Sequence, residues 1–103
     1  MNHITVIGAG AWGLALADYL ARHNNAVTVW DREKTILEQL RTSRTVNRPA
    51  GLMVHESVNY ADSIADAVDG ASVILNVIPS FAVADLCRSL APLNWTGAGA
   101  IFV

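Results

Sequence analysis

The sequence predicts an α/β fold, a doubly wound parallel sheet of five strands, and three observations carry that prediction. A continuous apolar run, Ile4-Thr5-Val6-Ile7, stands near the start and reads as a strand covered on both faces. Gly8, Gly10 and Gly13 follow at once with the spacing G-x-G-x-x-G, and a helical pattern begins within them. Strand-like and helix-like stretches then alternate along the chain, which in one sheet implies parallel strands joined by right-handed crossovers.

Each glycine has its own task in a Rossmann-type opening. Gly8 lets the chain turn sharply off the first strand. Gly10 has no Cβ, so a pyrophosphate can approach the backbone, and Gly13 lets the helix pack close to the strand. The helix begins with free N–H groups, and its dipole favours negative charge there. Strand, glycine turn and helix in this order point to a bound dinucleotide.

The elements follow in order. A first helix is predicted from Ala11 to His23, with Gly13, Leu16, Ala17 and Leu20 on its inner face and Asp18 and Arg22 paired on its outer side. Asn24-Asn25 closes it, because asparagine tolerates the left-handed position. Ala26–Trp30 is the second strand. A second helix places Ile36, Leu37 and Leu40 inward and Lys34, Glu38 and Arg41 outward. Residues 42–51 read as a polar loop carrying Arg44 and Arg48, either simply solvated or a rim of the cleft. Leu52–His55 and Val58–Tyr60 are short extended pieces, one of them the third strand. Asp62 is expected to cap a short helix carrying Ile64, Ala67 and Val68, ended by Gly70. Ser72–Ile78 reads as the fourth strand. A last helix carries Val83, Leu86, Cys87 and Leu90 on one stripe and stops at Pro92, with Cys87 read as a core filler. Trp95 is expected to cover the sheet edge, and Gly99–Val103 is the fifth strand.

Composition bounds the rest. With 103 residues, positions 1–103 make one domain with a modest core. A net charge of -2 without a basic run argues against nucleic acid or an anionic membrane surface as partner. No apolar segment approaches the ~20 residues that span a bilayer. Met1-Asn2-His3 leads straight into a core strand and does not read as a signal peptide. Cys87 is the only cysteine, so no internal disulfide is expected and a reducing, cytoplasmic setting is the default. His3, His23, His55 and Cys87 have no metal-ligand spacing, so no metal site is expected.

Strand order 3-2-1-4-5 makes strands one and four neighbours whose connections leave in opposite directions, and the crevice between them is the ligand site. The glycine turn forms one wall, and Val77-Ile78-Pro79-Ser80 forms the other, facing the nicotinamide half. Ser80 serves either as a hydroxyl toward the ligand or as a helix cap. Asp31 stands 18 residues after Gly13, where an acidic side chain accepts from the ribose hydroxyls of NAD; alternatively it caps the second helix. Arg32 stands where a guanidinium can clamp the 2′-phosphate of NADP, or is ordinary surface. Both cofactors, NAD or NADP, are therefore expected to bind within about tenfold of one another. No acid–base pair or nucleophile is present, so catalytic groups are expected from another domain.

Gly8-Ala9-Gly10-Ala11-Trp12-Gly13-Leu14-Ala15-Leu16-Ala17 resembles the G-A-G-x-W-G-T-A-L-A opening of NAD(P)-dependent glycerol-3-phosphate dehydrogenases. Trp12 is the specific part of the match. Trp30-x-Arg32, Asn47 and Ile78-Pro79-Ser80 are similar to that family's W-x-R, N-x-x-Y-L-P and V-P-S segments. The resemblance implies oxidation of sn-glycerol 3-phosphate to dihydroxyacetone phosphate with hydride transfer to NAD(P), the reverse reaction feeding phospholipid synthesis. It implies that Gly8, Gly10, Ala11, Trp12 and Gly13 line the pyrophosphate, that Arg32 lies near the adenosine ribose, and that Pro79 and Ser80 flank the nicotinamide end. It also implies a catalytic lysine just beyond Val103 and a helical substrate domain that takes the small phosphorylated substrate. The chain thus reads as the N-terminal part of a longer enzyme, with the sheet truncated after the fifth strand and that strand's edge open to self-association. Three departures stand out: Leu14 replaces threonine, Asn24-Asn25 replaces Gly-His, and Tyr-Leu-Pro is missing after Asn47. The alternatives are a reductase of the 6-phosphogluconate or ketopantoate type, which Trp12 with Ile78-Pro79-Ser80 disfavours, and a non-enzymatic nucleotide-sensing module.

Overall fold

The computed structural model describes residues 2–44, 53–78, 82–92 and 99–102. The strands β1 (His3–Ile7), β2 (Ala26–Trp30), β3 (Asn59–Tyr60), β4 (Val73–Asn76) and β5 (Gly99–Phe102) form one sheet in the order β3-β2-β1-β4-β5. Every pairing is parallel, and Ile4 of β1 stands beside Val27 on one side and Val73 on the other. The helices are α1 (Ala11–Arg22), α2 (Lys34–Ser43), α3 (Ile64–Val68) and α4 (Val83–Leu90).

Alternation along β1 divides the core. Ile4 and Val6 join Val27 and Val29 against Leu14, Ala17, Leu37 and Leu40, so α1 and α2 cover one face. Ile7 and Ile74 meet Val68, Leu86 and Leu90 on the other, under α3 and α4. Thr5 is buried on β1 and donates its hydroxyl to the Ala67 carbonyl, which ties α3 to the middle of the sheet. On β3, burial raises the pKa of the Tyr60 phenol, with Arg44 opposing and Asp18 reinforcing that shift.

Several local expectations are corrected. Helix α1 ends at Arg22, one residue earlier than expected, while Asn24 takes the left-handed position expected of it, at φ 63°. Its buried face is Gly13, Leu14, Ala17 and Ala21, with Leu16 and Leu20 only half-buried. The cause is Gly13, whose approach to the Gly8 carbonyl sets the roll of the helix and turns Leu14 under it. Asp18 does pair with Arg22 at 2.9 Å, but it is not an outward residue: its side chain is 14% exposed and also accepts the His55 N–H at 2.9 Å. Thr42 and Ser43 belong to α2 rather than to a loop, because the helix runs on to a left-handed cap at Arg44 (φ 59°).

The N-cap of α2 is Glu33, not Asp31, and that of α3 is Ser63, whose hydroxyl accepts the Asp66 N–H at 3.1 Å. Asp62 instead pairs with Arg41 at 2.8 Å. Strand β4 stops at Asn76, short of Ile78, because the chain turns where the Val77 carbonyl abuts Gly8. The N-cap of α4 is Ala82, without a side-chain hydrogen bond. Cys87 is exposed rather than a core filler, since α4 packs through the narrow stripe Leu86 and Leu90 alone. Pro79, Ser80, Asn47, Arg48 and Trp95 lie outside the described residues.

Candidate functional site

A cleft of about 440 Å³ opens at the carboxyl ends of β1, β2 and β4. Gly8, Ala9 and Gly10 line it on one side, Val77 and Ile78 on another, and Asp31 and Arg32 where β2 ends. This is the crevice expected from strand order, at the point where the connections diverge.

The three motif glycines separate by what surrounds them. Gly8 sits at φ +114°, its N–H donates to the Trp30 carbonyl at 2.8 Å, and an added Cβ would collide with the Val77 carbonyl oxygen. A Cβ on Gly13 would collide with the Gly8 carbonyl oxygen. Gly10 differs: its backbone is extended at φ -77°, and a Cβ there meets no protein atom within 4 Å. The fold requires glycine at 8 and 13. At 10 it leaves open space, and space beside a bare backbone at a helix start fits a pyrophosphate.

The first helical bond of α1 runs from the Leu14 N–H to the Gly10 carbonyl at 3.0 Å, so the N–H groups of Ala11, Trp12 and Gly13 stand ahead of the ladder. Trp12 is 73% exposed and does not line the cleft; nor do Ala11 and Gly13.

Asp31 has a use that sequence reasoning missed. One carboxylate oxygen accepts the Ala9 N–H at 2.7 Å, and the other accepts the Glu33 N–H at 2.9 Å. The half-buried side chain thereby joins the glycine turn to the start of α2, and each oxygen keeps a lone pair for a ribose hydroxyl. Arg32 is largely exposed, and its guanidinium lies 3.9 Å from Asp85 on α4. Asp85 and Ser89 line the cleft and were also missed. Their only sequence signal is position, one and two turns into the helix that follows β4.

Comparison with known proteins agrees with this geometry. Residues 3–103 match the family model described as the NAD-dependent glycerol-3-phosphate dehydrogenase N-terminus. The NAD(P)+ glycerol-3-phosphate dehydrogenase of Stenotrophomonas maltophilia strain K279a is 40% identical over 99 residues, covering 95% of this chain and 29% of the relative. The crystal structure of glycerol-3-phosphate dehydrogenase from Coxiella burnetii superposes with a TM-score of 0.90 at 27% identity, over 98% of this chain and 31% of that one. An imine reductase from Pseudomonas sp. superposes with a TM-score of 0.73 at 26% identity, over 98% and 31%. This chain therefore spans less than a third of the length of each of these three relatives.

Proposed function

We infer that this chain, which belongs to the NAD-dependent glycerol-3-phosphate dehydrogenase N-terminal family, is the dinucleotide-binding domain of an enzyme that interconverts sn-glycerol 3-phosphate and dihydroxyacetone phosphate. The observation that carries the reading is the contrast among the glycines: Gly8 and Gly13 are needed by the fold, whereas the missing Cβ of Gly10 serves only something outside it.

In this reading the pyrophosphate lies over Gly10 and the free N–H groups that open α1. Asp31 holds the glycine turn in shape and offers its remaining lone pairs to the adenosine ribose, with Arg32 beside it. Trp12 stands at the first turn of α1, open to contact from the rest of the protein. Pro79 and Ser80 follow Ile78 at the nicotinamide end. When bound, the nicotinamide supplies the hydride acceptor or donor. The described residues of the cleft bind and orient it and offer no acid–base pair, so proton transfer and recognition of the substrate's phosphate fall to a separate substrate domain. Association of copies, a cytoplasmic setting and a place in phospholipid synthesis belong to the same proposal.

The test is calorimetric titration of the 103-residue chain with NADH and NADPH. Binding of at least one at millimolar concentration or tighter is expected, without oxidation of glycerol 3-phosphate. Absence of heat with both would overturn the cofactor reading, and turnover by the pure chain would overturn the division of labour.

A further inference from the structure

We propose that Asp85 is a specificity-determining residue of the adenosine end of the cleft: by holding Arg32 it biases the site toward a dinucleotide without a 2′-phosphate. This rests on the cofactor reading above and adds to it a residue from the opposite wall.

Arg32 leaves the end of β2, and Asp85 stands on the first turn of α4, so the pair spans the cleft mouth rather than lying along one element. Both side chains are more than half exposed and both line the cleft. Arg32 is the sole cation among the lining residues described, and Asp31, Glu33 and Asp85 line the same space. A 2′-phosphate adds about two negative charges at neutral pH. To bind it, Arg32 must turn from Asp85, and the phosphate must then sit near the carboxylate left behind. A ribose hydroxyl makes neither demand. An exposed pair is readily broken, so the device tilts preference rather than blocking one cofactor.

The hold on Arg32 is graded by a third group. Arg88, one turn further along α4, also pairs with Asp85 and does not line the cleft. It sits on Oδ1 of the carboxylate while Arg32 faces Oδ2, and so neutralises part of the charge that holds Arg32. Removing Arg88 leaves Asp85 to Arg32 alone and deepens the bias against the 2′-phosphate.

The experiment measures Kd for NADH and NADPH by fluorescence titration at fixed ionic strength. It compares the unaltered chain with Asp85→Asn, Arg88→Ala, Arg32→Ala and the Asp85→Asn/Arg32→Ala double variant. Asp85→Asn should lower the ratio Kd(NADPH)/Kd(NADH) about fivefold, the size expected for one charge several Å from a divalent phosphate in a wet cleft. Arg88→Ala should raise the ratio about twofold by the same reasoning. The Asp85→Asn effect should shrink once Arg32 is gone, the remainder being direct repulsion between the carboxylate and the phosphate, and should shrink also with added salt. A ratio unmoved by Asp85→Asn, or moved equally with and without Arg32, overturns the proposal while leaving the cofactor reading intact. Failure of the unaltered chain to bind either nucleotide removes both.

Discussion

The two walls of the cleft are built by different means. The first is backbone against backbone: Gly8 and Gly13 allow main chains to approach where any side chain would collide, and Asp31 ties the turn down with two hydrogen bonds. The second is a helix resting on a narrow stripe, Leu86 and Leu90, its N-cap lacking a side-chain bond and its polar groups joined by exposed ion pairs. A wall made by close approach admits almost no substitution. A wall made by side chains on a helix can be retuned one residue at a time, which suits it to setting preference rather than holding the ligand.

Substitutions should separate the two walls. The largest effect is expected from Gly13→Ala, because the new methyl overlaps a backbone oxygen that cannot move without shifting β1 or α1. A loss of about 3 kcal/mol is expected, read as a fall in the denaturation midpoint. Asp31→Ala should cost about 2 kcal/mol, the scale of hydrogen bonds to a charged acceptor, and should weaken NADH and NADPH together. That outcome would mark Asp31 as a support of the turn. A change confined to one nucleotide would make it a reader of the ribose alone.

Gly10→Val sharpens the contrast within the first wall. Its stability loss should stay within about 1 kcal/mol, the usual range for a helix cap, while nucleotide affinity falls at least about tenfold. Equal damage to folding and binding would remove the reason for assigning the open space to a ligand. The smallest effect belongs to the second wall: Cys87→Ser should change stability by less than about 0.5 kcal/mol. The native thiol should react with a maleimide at the rate of an open cysteine, and protection would mean that α4 is more deeply packed than its two-residue stripe indicates.

Strand positions were legible in the sequence where a covered sheet demands an apolar run, fully buried at Ile4–Ile7 and alternately buried and half-buried at Ala26–Trp30. Helix caps were less legible. Asp31 and Asp62 are as good cap formers as Ser63, and composition does not tell which of two neighbouring acids has a better partner across space. Asp31 found the Ala9 N–H, and Asp62 found Arg41. Asp18 likewise looked like half of a helix pair until the chain around His55 came back to it from 37 residues away.

The sequence by itself determined the strand order, the parallel sheet and the place of the cleft, because hydrophobic runs, glycine spacing and right-handed crossovers are local or topological constraints that leave one arrangement. Only the tertiary structure decided which face of α1 is buried, that Cys87 is outside, and that Arg32 meets Asp85. Each depends on how far one element rolls or reaches against another. A roll of a fraction of a helical turn exchanges Leu16 for Leu14 without altering the apolar pattern, and a side-chain pair joining residues 53 apart leaves no periodic trace in the chain.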